Sequence, residues 1–118
     1  MKNFRELRVW QKAIDLVEEI YLRTQKFPRE ETYGLTSQIR RAVVSIASNI
    51  AEGHTREHLK EYLHHLSMAQ ASLAEVETQL EIAARLKYIP RAQLSASLNE
   101  IAALGKQLYA LRNALNRA

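Results

Sequence analysis

The chain has 118 residues, no cysteine, and a net charge of +4 from 17 Lys and Arg against 13 Asp and Glu. This length predicts one domain, residues 1–118, that can bury a single core, and the lack of cysteine excludes disulfides and thiolate metal sites. Because no stretch resembles a signal peptide or a membrane span, we expect a soluble, cytoplasmic protein without a membrane partner.

Glycine and proline divide the chain into four helical segments. Pro28, Gly34, Gly53 and Pro90 separate stretches in which apolar residues recur every three or four positions. The predicted helices span residues of about 7–26, 35–52, 56–87 and 90–116. Because the connections are short, neighbouring helices should be antiparallel, which predicts an all-α, up-down-up-down four-helix bundle.

The second predicted helix is apolar on two adjoining strips. Ile39, Ile46 and Ile50 lie on the first strip, and the small side chains of the second strip are Val44, Ala47 and Ala51. The two strips cover about 200° of the helix surface, whereas a surface helix commonly shows a little over ~100°. The second strip is therefore predicted to be covered by another subunit of an oligomer.

The polar arc of the same helix forms a continuous seam. We define the seam as Gln38, Arg41, Ser45, Asn49 and Glu52. The helix dipole favours an acid at the start of a helix and a base at its end, and the seam has the reverse order. Its side chains should therefore pair with groups outside the helix, either on neighbouring helices or subunits or on a ligand.

Several short motifs carry a family resemblance. They are Phe27-Pro28, Tyr33-Gly34-Leu35-Thr36, Gln38-Ile-Arg-Arg-Ala, Ser45-Ile, Asn49-Ile-Ala-Glu-Gly53, Ala69-Gln-Ala-Ser72-Leu-Ala-Glu75 and Thr78-Gln79-Leu80. From about Phe4 to Ile89 the chain resembles the four-helix-bundle family encoded in intervening sequences of bacterial 23S ribosomal RNA genes. The resemblance implies a homopentameric ring, and the family is similar to accessory proteins of diversity-generating retroelements. The partners it implies are further copies of the chain, RNA or DNA, and a nucleic-acid-processing protein.

Cations are expected to cluster at one end of the bundle. In an antiparallel topology, the start of helices one and three and the end of helices two and four share that end. The candidate phosphate contacts are Arg5, Arg8, Lys12, Arg56, Lys60 and Arg112, followed by Arg40 and Arg41. This arrangement predicts non-catalytic, salt-sensitive nucleic-acid binding. The alternatives are solvated helix ends, or a scaffold whose seam docks a protein partner.

Catalysis and cofactors are not indicated. Glu61 and His64 have the spacing of a carboxylate-bridged di-iron motif, but the second Glu-x-x-His that such a site needs does not occur. The sequence also lacks a nucleophile motif and a phosphate-binding glycine loop. We therefore expect no metal, no cofactor and no enzyme activity.

Phe27 and Tyr33 are predicted to cover the apolar end of the long helices near Ile82 and Ile89.

Overall fold

The computed structural model describes residues 3–117, and within this range the chain forms four α-helices, two 3-10 turns and no β-strand. The helices are α1 (Arg8–Thr24), α2 (Leu35–His54), α3 (Leu59–Arg85) and α4 (Arg91–Arg117), and the turns are Phe4–Glu6 and Arg29–Glu31. The predicted all-α fold is confirmed, and each helix boundary lies within about three residues of its prediction.

The helices are antiparallel. Each packs against its neighbours in sequence, and α1 also packs against α4, which closes the bundle. The contacts between α2 and α3 advance in opposite directions along the two helices, because Asn49 contacts His65 while Ser45 contacts Ser72. One end of the bundle, here called the terminal end, therefore contains the start of α1 and the α2–α3 connection. The opposite end, the loop end, contains residues 25–34 and 86–90.

The apolar strip of α2 lies in the core as predicted, with Ile39, Ile46 and Ile50 fully buried. Ala47, predicted to face another subunit, is only 6% exposed and belongs to the same core, so that part of the prediction is wrong. Ala47 lies two turns from Arg40 on the flank of α2 that faces α1, and the bundle itself covers this flank. Val44 remains 40% exposed, and Ala51 is half-buried.

A glycine allows α2 and α3 to approach closely at the terminal end. A Cβ atom on Gly53 would lie 2.7 Å from the Cβ of His65 and 3.0 Å from the Cδ1 of Tyr62. These distances are shorter than ordinary van der Waals contact, so a larger residue would force the helices apart. Gly53 was predicted to follow the end of the second helix, but α2 continues through it to His54.

The loop end is closed by Phe27 and Tyr88, whose ring centroids lie 5.6 Å apart. The Tyr88 hydroxyl donates to Glu31 Oε2 at 2.9 Å, and the other Glu31 oxygen accepts from the Leu35 N–H at the start of α2. Phe27 is buried in the core at this end together with Ile89, as predicted, whereas Ile82 is not covered and stays 43% exposed. The covering role is wrong for Tyr33, which is 94% exposed, and Tyr88 takes that place beside Phe27.

Candidate functional site

The seam lines a groove of about 740 Å³ on the outer face of α2. Tyr21 of α1 and Tyr33 of the α1–α2 connection also contribute to its walls. Four seam residues line the groove, namely Arg41, Ser45, Asn49 and Glu52, whereas Gln38 does not. The structure therefore brings most of the seam into one concave surface.

Two seam residues are part of a hydrogen-bond network between α2 and α3. Asn49 Nδ2 donates to the Ser45 carbonyl oxygen at 2.9 Å and to Ser45 Oγ at 3.1 Å, and Ser45 Oγ lies 3.0 Å from Ser72 Oγ. Asn49 Oδ1 lies 2.9 Å from Nδ1 of His65, which is 9% exposed. Because an amide oxygen can only accept, the hydrogen of this bond belongs to His65 Nδ1. Ser45 and Asn49 thus join two helices.

The other two lining residues of the seam face solvent. Glu52 is 60% exposed, and its Oε1 lies 3.9 Å from His65 Nδ1, so it adds at most a weak, screened ion pair. Arg41 is exposed and forms neither a hydrogen bond nor an ion pair with any residue in the range 3–117. The seam was expected to pair with neighbouring helices or subunits, or with a ligand. A neighbouring helix is the partner of Ser45 and Asn49, and Arg41 remains available to bind a group outside the chain.

A second concave surface, the basic pocket, lies at the start of α3 and has a volume of about 490 Å³. Its lining residues are Arg56, His58, Lys60, Glu61, His64 and His65. No side chain caps the start of α3, so the backbone N–H groups at this helix terminus add positive potential beside these cations. Arg56 and Lys60 are exposed and form no salt bridge within the described part of the chain. The pocket can therefore attract an anionic group.

The candidate cations of α1 lie at the same end of the bundle. The turn Phe4–Glu6 packs against α2, which places the start of α1 beside the end of α2. The Arg5 guanidinium lies 5.6 Å from the ring centroid of Trp10, in cation–π range, and Arg8 is exposed as the first residue of α1. Lys12, one turn further on, is half-buried.

Two predicted phosphate contacts are instead half-buried and engaged by partners within the chain. Arg40 Nε donates to Thr24 Oγ1 at 2.8 Å, and the Arg40 guanidinium stacks 4.5 Å from the Tyr21 ring centroid. Arg112 donates to Gln70 on α3 and has a buried Nε atom. At about 1.5 Å per residue, Gln70 lies roughly 15 Å along α3 from Lys60, so Arg112 is not part of the basic pocket.

The acidic groups with shifted pKa values lie at the loop end. Hydrogen bonds from the Leu35 N–H and the Tyr88 hydroxyl lower the pKa of Glu31. The hydrogen bond that Tyr88 donates to Glu31 raises the pKa of Tyr88. Hydrogen bonds from Arg85 and Arg91 lower the pKa of Glu81. Near the terminal end, burial raises the pKa of Tyr62.

Sequence reasoning assigned no functional site to His65 or Ser72. Both residues acquire their role from the register between α2 and α3, which a single sequence does not display. The position of His65 on the same helical face as Tyr62 and Leu66 was the available signal.

The structure offers no geometry for a metal centre or a membrane span in the part of the chain that it describes. Residues 3–117 contain no group of three His, Asp or Glu side chains placed to hold a metal ion. None of the four helices is both long and apolar enough to cross a lipid bilayer.

Comparisons with known proteins agree with this architecture. The family model of the 23S rRNA-intervening sequence protein matches residues 5–110. The fold is similar to the crystal structure of a protein of unknown function from the S23 ribosomal protein family of Bacteroides thetaiotaomicron, with a TM-score of 0.81 and 24% sequence identity. That alignment covers 89% of this chain and 95% of the other. No curated protein gives a significant match. Because the family model spans most of the chain, the protein belongs to the 23S rRNA-intervening sequence protein family.

Proposed function

We propose that the protein is a non-catalytic, oligomeric module that binds the phosphate backbone of RNA or DNA at its terminal end. The observation that supports this function is the set of exposed cations Arg8, Arg56 and Lys60, which form no ion pair within residues 3–117. At the loop end, Arg85 and Arg91 pair with Glu81, whereas Lys26, Arg29 and Lys87 are exposed and form no ion pair among the described residues, so they serve as a control. The cations at the terminal end are thus free to neutralise an external anion.

Binding of this kind needs no base-reading groups. Lys and Arg gain affinity for phosphates largely by releasing condensed counterions, and backbone contacts carry no sequence information directly. The uncapped first turn of α3 supplies further N–H donors beside the basic pocket. If the chain forms the ring that the family resemblance implies, each copy repeats the same site, and several weak sites on one polymer gain avidity.

The test is fluorescence anisotropy of labelled structured RNA and duplex DNA titrated with the protein at several salt concentrations. The triple variant Arg8→Gln, Arg56→Gln and Lys60→Gln should weaken binding by at least about tenfold and reduce the salt slope by up to about three. Its matched control is Lys26→Gln, Arg29→Gln and Lys87→Gln, which removes the same charge from the loop end.

The control separates a local site from the effect of net charge. We expect the loop-end variant to bind nearly as tightly as the wild-type protein. Equal losses in the two triple variants would show that binding follows net charge alone. An absence of binding by the folded wild-type protein at about 50 mM salt, where such contacts are strong, would exclude the proposed function.

A second candidate function, a scaffold for a protein partner, is favoured by the α2 groove. Tyr33 projects beside this groove with 94% of its surface exposed, and Arg41 within it has no partner in the described part of the chain. The two functions respond to different substitutions. Arg41→Ala should impair a scaffold and leave phosphate binding intact, whereas the terminal-end triple variant should do the reverse.

A further inference from the structure

Two surfaces on different sides of the bundle carry complementary features. The first is the α2 groove, where Tyr33 projects, Val44 is exposed and Arg41 is unpaired among the described residues. The second, here called the α3–α4 groove, has a volume of about 380 Å³ and is lined by Glu77, Thr78, Glu81, Ile82, Arg85 and Leu98. One surface thus offers a cation and a projecting aromatic ring, and the other offers acids and an apolar recess.

The charges available on the two surfaces are opposite. Glu77 is exposed and makes no hydrogen bond or ion pair within residues 3–117, whereas its neighbour Glu81 is already held by Arg85 and Arg91. Arg41 is likewise free on α2. The α3–α4 groove therefore retains the charge of Glu77, and the α2 groove retains that of Arg41, with the acid Glu52 about three helical turns away towards the terminal end.

The two surfaces also lie at the same height along the bundle axis. The contact between Ser45 and Ser72 fixes the register of α2 against α3. Because the helices are antiparallel, one turn from Ser45 towards the loop end reaches Arg41, and the corresponding turn of α3 reaches Glu77. Continuing in the same direction, Tyr33 lies near the level of Ile82. Two copies placed side by side, with parallel axes, would bring both pairs together.

We infer that the α2 groove of one copy of this chain binds the α3–α4 groove of the next. Arg41 pairs with Glu77 of the neighbour, and the Tyr33 ring enters the recess beside Ile82. Because two different surfaces meet, the contact is heterologous and repeats from copy to copy, giving a closed ring or an open filament. The inference rests on the oligomer proposed above but not on nucleic-acid binding.

The experiment uses charge reversal and measures molecular mass by light scattering and sedimentation. Arg41→Glu alone places two acids together, and Glu77→Arg alone places two bases together, so each variant should raise the dissociation constant by about tenfold or more. The double variant regains an attractive pair at every contact and should reassemble fully. An equimolar mixture of the two single variants regains that pair only where they alternate, which a closed ring of five cannot do at every contact, so the mixture should recover only in part. The control Glu18→Arg changes an exposed charge on α1 and should leave the mass unchanged.

A second variant guards against misfolding of the charge-reversed chains. Tyr33 is almost fully exposed, so Tyr33→Ser should leave the folded monomer intact and still weaken assembly. A wild-type oligomer that resists both charge reversals and Tyr33→Ser would overturn this contact and leave the oligomer standing. Dissociation of both single variants without recovery in the double variant would show that Arg41 and Glu77 do not face each other. A monomeric wild-type protein would overturn the contact and the oligomer together.

Discussion

The two ends of the bundle differ in how their acidic residues are engaged. At the loop end, Glu31 accepts from Tyr88 and from the Leu35 N–H, and Glu81 binds Arg85 at 3.0 Å and Arg91 at 3.1 Å. At the terminal end, Arg56 and Lys60 have no acidic partner among the described residues. Charges satisfied within the chain serve the fold, and charges left unsatisfied at the surface are available to a ligand. The position of the cations is therefore more informative than the net charge of +4.

The terminal end is held together by close packing and a buried polar network instead of ion pairs. Gly53 permits the approach of α3, and this approach places His65 within hydrogen-bond distance of Asn49. The basic pocket lies directly over this contact, because His65 also lines the pocket. Substitutions in the packing beneath the pocket should consequently affect the pocket as well as stability.

The largest effect is expected for Gly53→Ala. The added methyl group would meet His65 at 2.7 Å, and such overpacking should destabilise the fold by about 1–3 kcal/mol. Gly105→Ala is the matched control, because its Cβ would lie 3.5 Å from Leu73 Cδ2, an ordinary contact. Alanine also favours helix, so this control should gain about 0.5–1 kcal/mol. Urea unfolding of both variants measures the difference, and equal stabilities would show that the α2–α3 approach is not tightly constrained.

Asn49→Ala tests the polar network at the same end. The substitution removes the bonds to Ser45 and His65 and should cost about 1 kcal/mol. Gln38→Ala, on the exposed face of the same helix, should change stability by less than about 0.5 kcal/mol. Denaturant unfolding gives both values, and NMR of the His65 Nδ1–H reports whether the hydrogen bond is present. If the two alanine variants were equally stable, the seam would not join the helices.

The fold could be predicted from the sequence because its signals are local. Apolar residues at spacings of three and four identify a helix wherever it packs, and Gly34 and Pro90 mark two of the breaks. The predicted end of the second helix before Gly53 was wrong, since glycine can either end a helix or let two helices approach closely. Only the contact with Tyr62 and His65 distinguishes these uses.

The site was less predictable because it depends on which helices are neighbours. Ala47 was predicted to face another subunit and Arg40 to contact phosphate, yet Ala47 lies in the core and Arg40 reaches Thr24 of α1. Long side chains such as Arg112 can reach partners on other helices, so sequence position alone does not identify free cations. Arg56 and Lys60 were easier to place, since Arg56 lies in a short connection that has to be at one end and Lys60 lies in the first turn of the helix that follows.

At the loop end, Lys87 offers a smaller and stabilising change. Its φ angle of 67° is left-handed, and the N–H groups of Lys87 and Tyr88 bond to Ala84 and Ala83 in a helix-terminating motif. This conformation costs a non-glycine residue about 1–2 kcal/mol. Glycine avoids that strain, but its unfolded chain has more conformational freedom, which offsets part of the gain in stability. Lys87→Gly should therefore stabilise the fold by about 0.5–1 kcal/mol in thermal or urea unfolding. Lys87→Ala keeps the strain, and an equal gain in that variant would contradict this explanation.

The pH dependence of stability should identify Glu31 as a structural acid of the loop end. Its folded-state pKa lies below the ordinary value of 4.5, because the Leu35 N–H and the Tyr88 hydroxyl bind the ionised carboxylate. The resulting stability is fully present above the unfolded pKa and is lost as pH falls through the folded pKa. Between about pH 5 and pH 3 the wild-type protein should therefore lose more stability than Glu31→Gln, which has no charge to lose there. Glu81 titrates in the same direction in both proteins, so the difference between their urea midpoints isolates Glu31. The control Glu30→Gln removes an exposed neighbouring acid and should lose stability with falling pH as the wild-type protein does. If that control lost less stability than the wild-type protein, the acid sensitivity would come from the general charge at this end and not from the Glu31 hydrogen bonds.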